Sequence, residues 1–412
     1  MKWMIKMRIT KDDISEFKND LTLNKKDIKL KEKTFTTKMP SISFLVIVKN
    51  GERTIHRCIK SILKNCDDTD EIRILDTGSE DRTLKIISTF DDERIEEFDF
   101  KWDNNFSNAR NYAKSLAKKE WIFFIDADEY LAEGTVVKLK KYICILKNNN
   151  KHNIFINPTI INTNDHIIHG VSRIFENNKK VTYKGLVHEY PYLPGEKINV
   201  YSFESIILKH DGYDSSVVNM ESKINRNIKL LKKMKSMENN IRWDYLYCRD
   251  GSYIWDDSIS IRNLEELVIK WKSEKHSDAY YSSVRDLIEL YLNNGNLIYA
   301  KKYLKILKTL DTNESDIYYF ESLILWFELK SQEKRLLDDI INYRKTRKKI
   351  DYGALHSNYY HIDYLISQIM ISQGELENGF KIQKKLNDKG IFNFTINFDQ
   401  LYKIISNTNE VQ

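Results

Sequence analysis

Between residues 42 and 125 the chain alternates short apolar runs with segments of helical periodicity, and this alternation constrains the fold more than any other feature. Residues 42–48 (ISFLVIV) are continuously apolar and rich in β-branched side chains, as a strand covered on both faces requires. Asn50-Gly51 turns the chain, and Ile55, Cys58, Ile59, Ile62 and Leu63 then recur at helical spacing. Residues 72–75 form a second short strand, after which Ser79 is placed to cap a helix carrying Leu84, Ile87 and Phe90. Residues 95–98 give a weaker strand, and Phe106, Ala109, Ala113 and Leu116 mark the next helix. Residues 121–125 (WIFFI) are the strongest strand of the series. Strands alternating with helices predict an α/β fold with a parallel sheet and right-handed crossovers. Ligands bind such sheets beyond the carboxyl ends of the strands, which here carry Lys49-Asn50, Asp76 and Asp126-Ala127-Asp128.

The flanking regions read differently. Residues 1–40 are lysine-rich and weakly amphipathic, a helical arm ending at Pro40. Residues 150–215 mix strand-like runs at 154–156, 173–175 and 206–208 with His, Gly and Pro, and complete the first domain as a mixed-sheet half. Beyond Ser216 the pattern is almost wholly helical. There Leu287, Tyr291, Gly295, Ala300 and Leu304 sit at the offsets of a tetratricopeptide-type helix–turn–helix repeat. A worn copy surrounds Ile366, Gly374 and Gly379, and a third is suggested by Trp243 and Leu246. The domain reading is therefore 1–40, 41–215 and 216–412.

Composition narrows the function. The 66 basic and 60 acidic residues are interspersed, so a net charge of +6 favours anionic ligands without arguing for nucleic acid. A local basic run such as residues 229–235 (KLLKKMK) reads as a solvated helix face. Cys58, Cys66, Cys144 and Cys248 are far apart and lack metal-ligand spacing, which fits a reducing, cytoplasmic setting. The amino terminus has no sustained apolar core of a signal peptide, and no apolar run approaches the roughly 20 residues that span a bilayer.

Chemistry concentrates in FFIDADEY, residues 123–130. Two carboxylates one residue apart, at the tip of a buried strand, suit a hard divalent cation that leaves sites for water and phosphate oxygens. Such a cation neutralises a nucleotide diphosphate as it departs. Phosphatases of the haloacid-dehalogenase type also place D-x-D after a strand, but after the first one and before Thr or Val; here three βα units precede it and Glu129-Tyr130 follow. No G-x-G-x-x-G follows the first strand and no Walker lysine motif exists, which disfavours dinucleotide and P-loop chemistry. In DTGSEDRT (76–83), Gly78 permits a tight turn and Asp76 can accept a pyrimidine N–H. Arg110, in WDNNFSNARN (102–111), can brace phosphates or the Asp126 pair. In GLVHE (185–189), His188 and Glu189 offer a metal ligand or orienting group and a carboxylate base for an acceptor that must lose its proton. His210 of LKHDGY (208–213) is a candidate third metal ligand, and nothing selects His152, His166 or His169.

These motifs in this order, ISFLVIVKN, DTGSEDRT, WDNNFSNARN, FFIDADEY, SRIFENN, KGLVHE and ILKHDGYD, resemble a family 2 glycosyltransferase of the GT-A fold across residues 41–215. With its helical tail the chain is similar to the peptide S-glycosyltransferases of glycocin bacteriocins, of the sublancin and thurandacin type. The resemblance implies that Asp76 contacts uracil, that Asp126 lies near the ribose or the metal, and that Asp128 and His210 ligate it. It makes Val48, Asn50, Glu52, Arg110 and Ala127 further donor-binding positions, and Glu189 the base with His188 competing. Lys49 departs from the family pattern, where a tyrosine or alanine often precedes the Asn. The resemblance further implies single-displacement inversion, a UDP-glucose-like donor, Mg²⁺ or Mn²⁺, a small precursor peptide accepting through Cys or Ser, and a homodimer joined by its helical regions. The competing readings are a family 2 enzyme acting on cell-envelope glycans or lipid-linked acceptors, and a non-catalytic helical scaffold.

Overall fold

The computed structural model describes residues 5–22, 30–162, 167–168, 170–210, 220–310, 314–346 and 358–391. The chain divides into two compact units, Met1–Asp256 and Asp257–Gln412.

The first unit opens with β1 (Lys6–Ile9), α1 (Lys11–Asp20) and β2 (Phe35–Lys38), the two strands pairing antiparallel. A capping box starts α1: Asp13 N–H donates to Thr10 Oγ1 at 3.2 Å, and Thr10 N–H to the Asp13 carboxylate at 2.8 Å. Ile14 and Phe17 on its inner face belong to the main core, where Phe17 meets Tyr142 edge-on at 5.3 Å. In place of the helical arm read from the sequence, this segment is a strand–helix–strand cover whose apolar residues the core requires.

Next come β3 (Ile42–Val48), α2 (Ile55–Asn65), β4 (Glu71–Asp76), α3 (Thr83–Ile87), β5 (Ile95–Asp99), α4 (Phe106–Ser115) and β6 (Trp121–Asp126). The four strands lie parallel in the order β5-β4-β3-β6. Their double burial follows from the side-chain alternation of a strand. Phe44, Val46, Phe123 and Ile125 enter one core, while Leu45, Ile122 and Phe124 enter a second on the opposite face. One detail differs from the sequence reading: Ser79 does not cap α3, which begins later, at Thr83, with Arg82 at the cap position. Instead Asp81 Oδ1 accepts the Thr83 N–H at 2.9 Å, and Ser79 is drawn to the first loop.

The sheet continues through β7 (Glu129–Leu131), then past α5 (Thr135–Asn148) into β8 (Ile154–Asn162), β9 (Ile167–Ile168), β10 (Ile174–Glu176) and β13 (Asn199–His210). A separate pair, β11 (Thr182–Lys184) and β12 (Tyr190–Tyr192), lies between them in the chain. β10 joins β6 to β8 antiparallel, β8 runs parallel to β13, and β13 carries β7 antiparallel. Two consequences fix the site. β10 brings Arg173 beside β6, with Phe124 N–H donating to the Arg173 carbonyl at 2.9 Å. The β13–β7 register sets His210 opposite Glu129, next to the Asp126-Ala127-Asp128 turn.

Helices α6 (Met220–Met237) and α7 (Ile241–Gly251) close this unit, so the compact body runs to Asp256 rather than to residue 215. Trp243 and Leu246, read as a third repeat, instead pack with Leu231 and Met234 on Leu186 and Val187. The second unit holds α8 (Asp257–Lys270), a 3₁₀ turn (Lys272–Glu274), α9 (Asp278–Asn293), α10 (Leu297–Leu307), α11 (Glu314–Thr346), α12 (Tyr360–Ser372) and α13 (Leu376–Asn387). Here the sequence pattern is matched by structure. α9–α10 and α12–α13 are hairpins turning at Gly295 and Gly374, both in the left-handed region, with Ala300 and Gly379 at corresponding buried positions. Among the described residues no helix is long and apolar enough to cross a membrane.

Candidate active site

The first loop and the Asp76 turn are laced together. Asn50, at φ +52°, donates its N–H to Ser79 Oγ at 2.8 Å and accepts the Glu80 N–H on Oδ1 at 2.8 Å. Gly51 N–H donates to Thr83 Oγ1 at 2.8 Å, and Glu52 N–H to Asp81 Oδ2 at 3.0 Å. The Val48 carbonyl accepts the Thr77 N–H at 2.9 Å. Asp76 is buried, and its Oδ2 accepts the N–H groups of Gly78 and Ser79, each at 2.9 Å. Among the described residues its buried Oδ1 meets no hydrogen-bond partner. A buried acceptor left open in this way is costly unless a ligand donor reaches it.

At the tip of β6, Asp126 is gripped by two arginines. Arg110 Nη2 donates to Oδ1 at 2.7 Å, while Arg173 gives Nη1 to Oδ1 at 3.1 Å and Nη2 to Oδ2 at 2.6 Å. Burial alone would raise the Asp126 carboxyl, but the two guanidinium groups hold it far below its ordinary range. Arg173 Nη2 also reaches Glu129 Oε1 at 3.2 Å, and Glu129 Oε2 accepts the Asp126 N–H at 2.8 Å, closing the D-A-D turn. The buried thiol of Cys58 lies against the Asp126 carbonyl at 3.7 Å. Burial and the neighbouring carboxylates push that thiol well above its usual value, which disarms it as a nucleophile.

Asp128 stands apart from this grip. Its Oδ2 lies 3.3 Å from His210 Nε2, and His210 Nδ1 is set by Asn162 Oδ1 at 2.9 Å. Burial would lower the His210 pKa, but the Asp128 carboxylate raises it. Among the described residues no group of three or more His, Cys, Asp or Glu side chains converges as a metal cage. Asp126 already spends both oxygens on arginines, so it offers little to the cation that the sequence assigned to it. Asp128 and His210 still fit a divalent ion that takes few protein ligands and keeps positions for phosphate and water.

Glu189 and His188 diverge although adjacent. Glu189 Oε1 accepts Arg110 Nε at 3.0 Å, so a single guanidinium spans Glu189 and Asp126. His188 Nε2 lies 2.6 Å from Asp250 Oδ2 on α7. The geometry thus places Glu189 beside the D-A-D turn and turns His188 toward the helices. Arg173, Glu129, Asn162 and Asp250 were not selected from the sequence. Arg173 carried one signal there, a lone charge opening the apolar run at 173–175. His166, His169 and residues 211–213 lie outside the described residues.

Residues 43–200 match the model of the glycosyl transferase family 2. This domain belongs to that family. Its mixed sheet is the GT-A arrangement, and a helical region succeeds it, as the sequence implied. The transferase domain and much of that helical region are similar to the SPbeta prophage-derived glycosyltransferase SunS of Bacillus subtilis, 29% identical over 347 residues, or 84% of this chain and 79% of SunS. The Escherichia coli protein WfgD, a UDP-Glc:alpha-D-GlcNAc-diphosphoundecaprenol beta-1,3-glucosyltransferase, is 29% identical over 146 residues, 35% of this chain and 54% of WfgD. Among solved structures, Staphylococcus aureus TarS residues 1–349 in complex with UDP aligns with a TM-score of 0.36 and 12% identity over 70% of this chain and 92% of that one.

Proposed function

We propose that this chain is an inverting, cation-assisted hexosyltransferase that moves a sugar, glucose foremost, from a UDP donor to a Cys thiol or Ser hydroxyl of a small bacteriocin precursor peptide. The observation that carries the acceptor class is the extent of the likeness to SunS, whose 347 residues run far past the domain at 43–200 and into the helices. The open Asp76 Oδ1 suits the N–H of a uracil ring. Val48, Asn50, Glu52 and Ala127 frame the donor beside it, and Asp126, locked by its arginines, suits a neutral ribose hydroxyl better than a metal. Asp128 and His210 would hold Mg²⁺ or Mn²⁺, which when bound neutralises the diphosphate and eases its departure. Glu189 takes the proton from the acceptor S–H or O–H. The freed electron pair attacks the anomeric carbon, and the bond to the diphosphate breaks on the opposite face. Configuration inverts in one displacement, and no enzyme nucleophile is required.

A second reading, transfer to a lipid-linked glycan, draws on the likeness to WfgD. We also read the protein as cytoplasmic and as a homodimer joined through its helices, a reading supported by an exposed apolar stripe along α11. The deciding experiment incubates the protein with single-Cys peptides, GlcNAc-diphosphoundecaprenol and a panel of UDP-sugars in Mg²⁺ or Mn²⁺, with products read by mass spectrometry. A hexose appearing on peptide Cys or Ser supports the first reading. A hexose found only on the lipid-linked sugar overturns it in favour of the second.

A further inference from the structure

The loop 185–189 carries the candidate base, and two residues outside the family domain hold it. Gly185 lies at φ +107° with α7 so near that a Cβ there would stand 2.7 Å from Trp243 Cη2. Leu186 and Val187 are buried against α6 and α7, and the Leu186 carbonyl accepts the Phe106 N–H at 3.1 Å, tying the loop to α4 as well. His188 then adopts φ +52°, a conformation that a non-glycine residue holds only when its surroundings enforce it.

Arg242 and Asp250 lead that enforcement, and Arg249 Nη2 also lies 3.2 Å from His188 Nε2. Arg242 Nη2 donates to the His188 carbonyl at 3.1 Å, with its guanidinium 4.6 Å above the Tyr190 ring. Asp250 takes the His188 ring at Nε2, 2.6 Å away, and is itself fixed by Arg249 Nη2 at 2.7 Å and Asn227 Nδ2 at 3.4 Å. One residue is therefore clamped by carbonyl and ring from the same helix, and the next residue is Glu189, whose carboxylate reaches Arg110.

We propose that Arg242 and Asp250 are positioning residues for catalysis, clamping His188 so that the backbone delivers Glu189 to the acceptor. The transferase domain's own family span stops at residue 200, so the site is completed by helices that lie beyond it in the chain. This inference rests on the reading of Glu189 as base. A group carried by backbone geometry is sensitive to small displacements, and a misplacement of about 1 Å costs on the order of a hundredfold in rate.

The test uses the full chain with UDP-glucose, reading hydrolysis as UDP release, UDP affinity by calorimetry and melting temperature. Asp250→Asn, which keeps the shape of the side chain, and Arg242→Ala are each expected to lower the hydrolysis kcat at least about tenfold, with UDP affinity within about twofold of the parent. Arg242→Lys, which retains one donor for the His188 carbonyl, recovers most of the rate. Adding Asp250→Asn to Glu189→Gln costs nothing further, because both act through one carboxylate. Unchanged kcat in Asp250→Asn, a parallel loss of UDP affinity, or additive losses in the double variant overturns the inference. A fully active Glu189→Gln instead removes the base assignment itself, so the two failures are distinguishable.

Discussion

Asp128 and His210 stand 3.3 Å apart although 82 residues separate them, and the antiparallel pairing of β7 with β13 brings them together. On the proposed reading, this carboxylate and imidazole, meeting beyond the strand that ends in Asp126, share a cation. Asp128→Asn and His210→Ala should each lower Mn²⁺-stimulated UDP release from UDP-glucose about a hundredfold, the scale of losing one electrostatic stabiliser of a transition state. Chelation with EDTA should bring the parent down to the same level. A chelator-resistant parent rate would remove the cation from the mechanism.

Arg173 provides the second prediction. It is nearly buried and serves both Asp126 and Glu129, the latter only 3% exposed. Arg173→Met leaves those carboxylates with one guanidinium fewer in poorly solvated surroundings. Breaking such a pair from one side costs about 3 kcal/mol, which urea unfolding should register. Donor affinity should fall with it, because the D-A-D turn relaxes. An unfolding midpoint equal to that of the parent would mean that water replaces the guanidinium freely.

These two sites mark the limit of what the sequence discloses. ISFLVIV and WIFFI announce their strands because every side chain is apolar and both faces are covered. Asp126 and Asp128 could be picked out because they end such a strand. Arg110 could be read as a brace for Asp126, but Arg173 could not, since it lies 47 residues away and arrives only when β10 inserts antiparallel between β6 and β8. The link from His188 to Asp250 spans 62 residues and joins a loop to a helix that periodicity alone assigns to a repeat. Ser79 misled for a local reason: its hydroxyl has two uses, a cap or a cross-loop acceptor, and Asn50 claims it. The amino-terminal strands escaped because lysines dilute their short apolar pattern, whereas the core takes Ile9 from β1 and Ile14 and Phe17 from α1.

Gly185 offers a test of close packing that is separable from backbone strain. A Cβ added at this position meets the buried Trp243 ring, whereas one added at Gly195, φ +71°, meets nothing within 4 Å. Both substitutions by alanine incur the left-handed penalty of about 1 kcal/mol or more. Only Gly185→Ala should add the cost of displacing an immobile indole, giving a clearly larger loss in chemical denaturation and slower UDP release. Equal losses at the two positions would mean that the loop yields without consequence.

Glu71 governs part of the acid stability. Burial would raise its carboxyl, but the hydrogen bonds from Arg73 Nη2, Lys118 N–H and Ser43 Oγ, each at 2.7 Å, hold it below its ordinary 4.5. A carboxyl depressed in the folded state contributes stability above its unfolded value, and loses it as pH falls through the folded one. Unfolding free energy measured from about pH 6 down to about pH 3 should therefore decline less steeply in Glu71→Gln than in the parent. Parallel acid limbs would assign that decline to other carboxylates.

The longest helix carries the last prediction. On α11 the side chains of Tyr318, Leu325, Leu329, Leu336 and Tyr343 are all about half exposed or more. Their separations of seven, four, seven and seven residues keep them on one face, the spacing of a heptad seam. On this helix of 33 residues the stripe from Tyr318 to Tyr343 extends about 38 Å, and an apolar stripe of that length facing water favours a partner, which a second copy with the same stripe supplies symmetrically. Leu329→Glu combined with Leu336→Glu sets like charges against each other across such a seam. Light scattering coupled to size exclusion should then report twice the chain mass for the parent and the single mass for the variant, with helical circular dichroism retained. A parent that elutes as a single chain over the accessible concentration range would remove the homodimer and leave α11 to meet a partner of different chemistry.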